Sequence, residues 1–323
     1  MESTHETTTT TTITINSTNP IEEIKINVEE ETTNKKSKYN ALETRMKEFE
    51  RNYPTTIPAK SPFLVRLDGH SFSKFTRNLD YSKSPFDDAF TNAMVLAMND
   101  LIDEFHAATG YAHSDEITLI FPPAYETEEE NTKTHIYGGR TQKIVSLMAS
   151  FCSVRFNYHL IQETQKKKEA YSQQTLERIN GMHAYFDGRV MIFPEKGEFI
   201  NHMIWRSVLD CNRNATSSYA RFHFGHKKTD GKKASDLRKM LLTEKGIEWT
   251  KDVPLWIRHG VYAKKAVKEI QAFDKKEQKE VTVKRGVIEN RSFKIHFDEE
   301  LYLPTLLGKY WPESLKEYEV YSL

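Results

Sequence analysis

Apolar residues in this chain recur in two rhythms. Around residue 63 the run F-L-V-R-L-D is rich in β-branched and aromatic side chains, which predicts a strand over residues 63–68, interrupted by Gly69. Residues 86–106 (F-D-D-A-F-T-N-A-M-V-L-A-M-N-D-L-I-D-E-F-H) predict a helix, with Pro85 near its first position and Asp87 and Asp88 in its first turn. Residues 110–121 predict paired strands turning at Ser114 and Asp115. A long helix follows over 140–165, with Ile144, Leu147, Met148 and Phe151 on one side. A strand over 183–193 and a helix from about Glu198 to His223 complete the order β-α-β-β-α-β. That order predicts an α+β, ferredoxin-like sheet with helices packed on one face.

The flanks differ in character. Residues 1–38 are Thr-rich and acidic, and cannot bury enough apolar surface to fold alone. They predict a disordered tail ahead of a core at 39–225, which opens on a helix carrying Leu42, Met46 and Phe49. Residues 226–323 predict a basic appendage packing on that core. It comprises a Lys/Gly loop, a helix over 234–245, a strand-rich stretch over 249–266 and a period-two segment over 279–297 with Lys and Arg on one side.

Composition narrows the class. Lys+Arg and Asp+Glu both total 46. Residues 1–40 hold seven acidic and four basic residues, so the remainder is mildly basic. That excess alone does not predict nucleic acid. Two cysteines, Cys152 and Cys211, make neither a disulfide framework nor a zinc pattern, and read as buried core thiols. No apolar run approaches the roughly 18–20 residues that span a bilayer. A glutamate-rich N-terminus without an apolar core argues against a secretory signal and a mitochondrial transit peptide. The expectation is a cytoplasmic protein, with the nucleus open.

Two short blocks carry the chemistry. F-L-V-R-L-D-G-H-S-F-S-K-F (63–75) and Y-A-H-S-D-E-I-T-L-I-F (111–121) each set an aspartate, Asp68 or Asp115, beside an apolar run. On adjacent strands two such carboxylates can hold hard divalent cations such as magnesium. Gly69 lets the backbone approach a phosphate or metal, and its carbonyl is a candidate ligand. The amides of His70, Ser71, Phe72 and Ser73 are a candidate polyphosphate nest. The plainer alternatives are an Asx turn at Asp68 with a positive φ at Gly69, and a solvent-facing hairpin tip at Asp115 and Glu116.

Four blocks, R-L-D-G-H-S-F, H-S-D-E-I-T-L-I-F, F-D-G-R-V-M-I-F-P and I-W-R-S-V-L-D-C-N-R-N-A, together resemble the tRNA-histidine guanylyltransferase family across roughly residues 40–265. The resemblance implies a polymerase-palm fold that adds nucleotides to tRNA 5′ ends in the 3′-to-5′ direction. It also implies two magnesium ions, GTP and ATP as substrates, and a homotetramer. Position by position it implies metal ligation by Asp68, the Gly69 carbonyl and Asp115. It implies nucleotide contacts from Asp68 to Ser73 and at Ser114, and cationic contacts at Lys83, Arg140 and Lys143. For Lys143 a solvated helix face is the alternative; for Arg189, an ion pair with Asp187.

The chain also departs from the pattern. The first block usually reads D-G-R-N-F-H; here it is D-G-H-S-F-S, so His70 replaces an arginine and Ser73 a histidine. After the W-R-x-x-D-C block, with an extra residue upstream, N-R-N-A-T-S (212–217) replaces H-I-N-N-L-Y. These departures resemble the guanylyltransferase-like branch, associated with template-dependent repair of truncated tRNA 5′ ends. Arg189, Arg213, Asn214, Lys227, Lys228, Lys232, Lys233, Lys284 and Arg285 are candidate RNA contacts; a backbone-bonding Asn214 and a solvated charged surface are the alternatives. Rival functions are addition of the extra guanosine of tRNA-histidine, a palm-type nucleotidyl cyclase, and a non-catalytic RNA-binding module. No G-G-D-E-F-like turn supports the cyclase.

Overall fold

The structure, a computed structural model, describes residues 38–48, 56–77, 79, 85–125, 127, 129, 131–274, 276 and 278–323. The segment before residue 38, and with it the expected disordered tail, lies outside the described residues, as do Phe49 and Lys83. The chain divides into two units, Met1–Ala41 and Leu42–Leu323. Of the first, residues 38–41 are described, and they are helical, opening a helix (α1) over residues 38–48.

The second unit holds the expected α+β core. Strand β1 (Phe63–Gly69) is followed by the short helix α2 (Phe72–Arg77) and by α3 (Asp88–Phe105). The hairpin β2 (Thr109–His113) and β3 (Glu116–Phe121) leads to α4 (Thr141–Gln165), α5 (Gln173–Asn180) and β4 (Phe186–Ile192). These four strands lie in the order β4-β1-β3-β2, all antiparallel, as a β-α-β-β-α-β path requires.

Helix α6 (Gly197–Ile204) runs through a π-helical turn, Trp205–Asp210, into α7 (Cys211–Phe224). Short helices α8 (His226–Thr229), α9 (Ala234–Lys245), α10 (Trp249–Asp252) and α11 (Leu255–His259) follow. Long strands β5 (Val261–Asp274) and β6 (Lys279–Ser292) continue the same sheet from β2, before α12 (Glu299–Leu307) and β7 (Glu319–Val320).

Several expectations are corrected. Both faces of the inner sheet are covered, not one. Phe63, Val65 and Leu67 pack with Met94, Met98 and Leu101 of α3 and Met148 and Phe156 of α4. On the opposite face Leu64, Ile120 and Met191 are also buried, and the Thr109 hydroxyl donates to the Leu306 carbonyl of α12 at 2.6 Å. The near-continuous apolar run of β1 is the pattern of a strand buried on both sides. Burying each such Leu, Phe or Met contributes about 1.5–3 kcal/mol.

Asp87 does not sit in the first turn of α3; it is the N-cap, its Oδ1 accepting the Phe90 amide at 2.9 Å, and Pro85 lies upstream of it. Leu147 points away from the Ile144–Met148 stripe of α4 and is 36% exposed. By length and composition α4 is the described helix able to cross a bilayer, which the sequence reading did not anticipate; it lies against α3 and the sheet through Ile144, Met148, Cys152 and Phe156.

The stretch 249–266 is helical before it is extended. Trp249 of α10, Ile257 of α11 and Val253 in the extended link between them bury in a small second core with Ala220, Leu237 and Leu241, so tertiary packing overrides the β propensity of the stretch. On β6, Lys284 and Arg285 are adjacent and therefore face opposite sides. Lys284 pairs with Glu269 at 3.9 Å, and Arg285 stands opposite Lys268.

Candidate active site

The registers of β1 bring acidic residues into one row. Asp68 is the partner of Glu116 on β3 and of Asp187 on β4. Directly opposed residues in antiparallel strands share a face. Asp115 joins this row from the β2–β3 turn, because the Gly69 amide donates to the Asp115 carbonyl at 2.9 Å. The turn is tight: Ser114 has φ +53°, and its hydroxyl donates to Asp115 Oδ1 at 3.0 Å. The structure thus brings together Asp68, Gly69, Ser114 and Asp115.

Gly69 is glycine for a reason other than a positive φ. It is absent from the left-handed region, and the Phe72 ring sits 2.5 Å from where a Cβ would stand. Phe72 in turn packs against Phe75, Phe90, Phe156 and Phe186, with ring centroids 5.1–5.9 Å apart. The loop is therefore seated on an aromatic core. The His70 amide is already spent on the Tyr185 carbonyl at 2.9 Å, which leaves the expected nest to the amides of Ser71, Phe72 and Ser73. Ser71 turns the chain with φ +56°.

An ion-pair relay underlies the row. Arg66 donates to Asp68 Oδ2 at 2.7 Å and also to Glu116. Glu116 accepts from Arg206, Arg206 donates to Asp210 at 2.6 Å, and Asp210 accepts from Arg213. Burial pushes Glu116 up, but the Arg206 and Arg66 charges outweigh it and hold the carboxyl at about 2. Asp68 moves the other way. Its burial, with the negative charges of Glu116, Asp115 and Asp187, overrides Arg66 and raises it to about 6. Asp115 is also raised, chiefly by burial.

That excess of buried negative charge is what a divalent cation relieves. Two carboxylates and the Gly69 carbonyl are hard oxygen donors of the kind magnesium takes, with water and phosphate oxygens completing its shell. Among the described residues no group of three His, Cys, Asp or Glu side chains forms a ready-made cage. The donor set therefore fits a cation shared with a phosphate ligand rather than one enclosed by protein.

Beside this row lies a cavity of about 630 Å³. Ser73, Ser114 and Asp115 line its mouth, Phe86 and Trp256 its apolar wall, and Arg221 and His226 supply polar edges. Phe86 meets Trp256 edge-on at 6.0 Å. His113, another wall residue, is held near 4 by burial, and its Nε2 has no hydrogen-bond partner among the described residues. Sequence reasoning overlooked Arg206, Phe86, Trp256 and Arg221. The four-residue spacing of Arg206 and Asp210 on one helix was a usable signal; the cavity wall, drawn from elements distant in sequence, left none.

The remaining candidates lie apart from the cavity lining. Arg140 donates to the Tyr137 carbonyl at 3.1 Å, and Lys143 stands 4.9 Å over the Tyr137 ring. Ser153, ten residues further along α4, already touches the Phe186 amide at the level of Gly69. Val145, two residues past Lys143, packs on Gly188 beside Asp187, so this part of α4 lies against the sheet face opposite the one that carries the carboxylates. Arg189 pairs with Asp187 at 3.5 Å. Arg213 closes the relay, beside an exposed Asn214. Lys227, Lys232 and Lys233 are exposed, and Lys228 pairs with Glu244. Cys152 and Cys211 are buried and free, as expected.

The profile of the family described as "Thg1: tRNAHis guanylyltransferase" matches residues 43–194. An uncharacterised protein of Acanthamoeba polyphaga mimivirus is 43% identical over 225 residues, covering 68% of this chain and 76% of the viral protein. A tRNA(His) guanylyltransferase of Debaryomyces hansenii is 29% identical over 170 residues, covering 52% of this chain and 56% of the yeast protein. Among solved structures, a bacterial tRNA(His) guanylyltransferase (Thg1)-like protein in complex with ATP superposes with a TM-score of 0.54 at 28% identity, covering 74% of this chain and 90% of that one. The β4-β1-β3-β2 palm, the profile match, the yeast relative and the bacterial structure agree: the chain belongs to the Thg1 family of nucleotidyltransferases.

Proposed function

We propose that this protein adds nucleotides to the 5′ ends of tRNAs in the 3′-to-5′ direction, and that it repairs 5′-shortened tRNAs by copying the opposing strand. The observation that carries this reading is the junction of β1 with the β2–β3 turn, where the Gly69 amide, next to Asp68, donates to the Asp115 carbonyl and Asp115 lines a nucleotide-sized cavity. In the reaction, the 3′-hydroxyl of an incoming nucleoside triphosphate attacks the α-phosphorus of a 5′-activated RNA. A new P–O bond forms and pyrophosphate or AMP leaves. Magnesium, held by Asp68, Gly69 and Asp115, would lower the pKa of the attacking hydroxyl and neutralise the leaving group. Ser114 fixes the Asp115 carboxylate, and Arg66 fixes that of Asp68. Base pairing with the template selects the nucleotide, so the protein need not read sequence itself.

The solved relative's complex with ATP supports ATP as the activating nucleotide. The yeast relative's name supports a second reading, addition of guanosine to tRNA(His). His70 and Ser73, where the family pattern has Arg and His, favour repair. The test is extension of end-labelled tRNAs lacking one to three 5′ nucleotides, with wild-type and altered template bases. Template-matched addition supports repair; guanosine added to full-length tRNA(His) whatever the template supports the second reading. Full activity in both Asp68→Asn and Asp115→Asn would overturn the site.

A further inference from the structure

Tyr185 is an unusual residue for its position. Its backbone is pinned on every side. Ala184, before it, is held by Asn157, whose Nδ2 donates to the Ala184 carbonyl at 2.7 Å and whose Oδ1 accepts the Ala184 amide at 3.4 Å. Phe186, after it, donates its amide to the Ser153 hydroxyl at 3.0 Å. Tyr185's own carbonyl accepts the His70 amide at 2.9 Å. Yet its side chain is 54% exposed. The fold has no evident use for a ring so firmly mounted and so open to solvent.

The ring is not alone. His70, also exposed, stacks against it with centroids 4.9 Å apart and planes 18° from parallel. The pair borders, through its backbone, a buried cluster: Phe186 follows Tyr185 in the chain and Phe72 lies two residues past His70, and both pack against Phe156. It also stands at the carboxylate end of the sheet: Gly69, between His70 and Asp68, is the register partner of Phe186. Flat, fixed aromatic surfaces next to a reacting centre are what unpaired or terminal nucleobases stack upon, whatever their identity.

We propose that His70 and Tyr185 form a stacking platform for a nucleobase at the end of the bound RNA, seating the acceptor stem so that its 5′ phosphate reaches Asp68 and Asp115. The proposal rests on the nucleotidyltransferase reading above and adds the element that holds the RNA end. The occupant is RNA rather than the incoming nucleotide, because the cavity lined by Ser73, Phe86 and Trp256 already offers the nucleotide a separate apolar wall. The platform is indifferent to sequence, as an enzyme acting on many tRNA ends requires.

The test compares wild type with Tyr185→Ala, Tyr185→Trp and His70→Ala on a 5′-shortened tRNA. Stacking of one base is worth about 1–3 kcal/mol, so KM for the RNA should rise about 5- to 150-fold in Tyr185→Ala, with KM for the nucleoside triphosphate unchanged. Tyr185→Trp should retain wild-type KM, and His70→Ala should fall between. A 2-aminopurine at the terminal template position should be quenched on binding wild type and Tyr185→Trp, and much less by Tyr185→Ala. Unchanged RNA KM and quenching in Tyr185→Ala, with extension intact, would overturn the platform and leave the reaction standing. A rise in nucleotide KM alone would also overturn it. Failure of wild type to bind or extend any RNA would overturn both readings.

Discussion

Asp68 and Glu116 are cross-strand partners sharing Arg66, yet their carboxyl groups are driven in opposite directions. Glu116 has a second arginine, Arg206, and is held at about 2. Asp68 has only a share of one, and burial with its acidic neighbours raises it to about 6. The fold thus neutralises one acid of the row with protein cations and leaves the other to be neutralised from outside.

That asymmetry fixes a pH dependence. Asp68 titrates near 6 in the folded chain against an ordinary value of 3.8, so between those values the folded state holds more protons. Its contribution to metal-free stability is fully present below about 3.8 and is lost as pH rises through about 6. Urea unfolding without metal should show this gain on acidification, and Asp68→Asn should lack it. Mn²⁺ affinity should change in the reverse sense, weakening as pH falls through 6. An unaltered pH profile in Asp68→Asn would refute the assignment.

Arg206 should matter to folding more than its distance from Asp68 suggests. Removing it leaves Glu116 buried beside Asp68 with one arginine instead of two. Arg206→Met should cost about 3–5 kcal/mol in chemical denaturation, the penalty of an uncompensated buried charge. The double variant Arg206→Met/Glu116→Gln should recover part of that loss. If the double variant is no more stable than Arg206→Met, the relay is not what holds this end of the sheet.

Gly69→Ala offers a steric test of the loop. The added methyl would meet the Phe72 ring at 2.5 Å, inside a packed aromatic cluster. Overpacking of this kind costs about 1–3 kcal/mol. Combining it with Phe72→Leu should restore much of the stability. A Gly69→Ala protein as stable as wild type would mean that the ring yields freely.

What the sequence disclosed and what it withheld have physical causes. The four inner strands and their helices announce themselves through local periodicity, and Asp68 and Asp115 through the turns that follow or hold them. Alternation also sets Arg66 on the face of Asp68, but pairing with Glu116 depends on strand register, which a single strand does not encode. Trp249, Val253 and Ile257 looked extended because their types favour strands; they bury from two short helices and the extended link between them, an arrangement set by tertiary packing. The cavity wall at Trp256 arises from tertiary packing and left no local trace, whereas Arg140 and Lys143 are engaged by Tyr137, three and six residues before them.

Lys264 supplies a last test, at the junction of the palm with β5. Its side chain is fully buried, and Nζ donates to the Ala108 carbonyl at 3.1 Å, to the Thr109 hydroxyl at 2.6 Å and to the Gly308 carbonyl. Burial pushes it down to about 7 from an ordinary 10.5, while the three acceptors favour the charged form and oppose that fall. Between those values the unfolded chain binds more protons, so stability rises as pH increases from about 7 towards 10. Lys264→Met removes the titration and should show no such rise. It also strands the Ala108 and Gly308 carbonyls, so at pH 7 it should be the less stable protein, by about 1–3 kcal/mol per unsatisfied group. Urea denaturation of both proteins at pH 7 and pH 9.5 reads the two effects separately: a parallel pH response would exclude Lys264 as the titrating group, and equal stability at pH 7 would mean that its three hydrogen bonds do not tie α12 to the sheet.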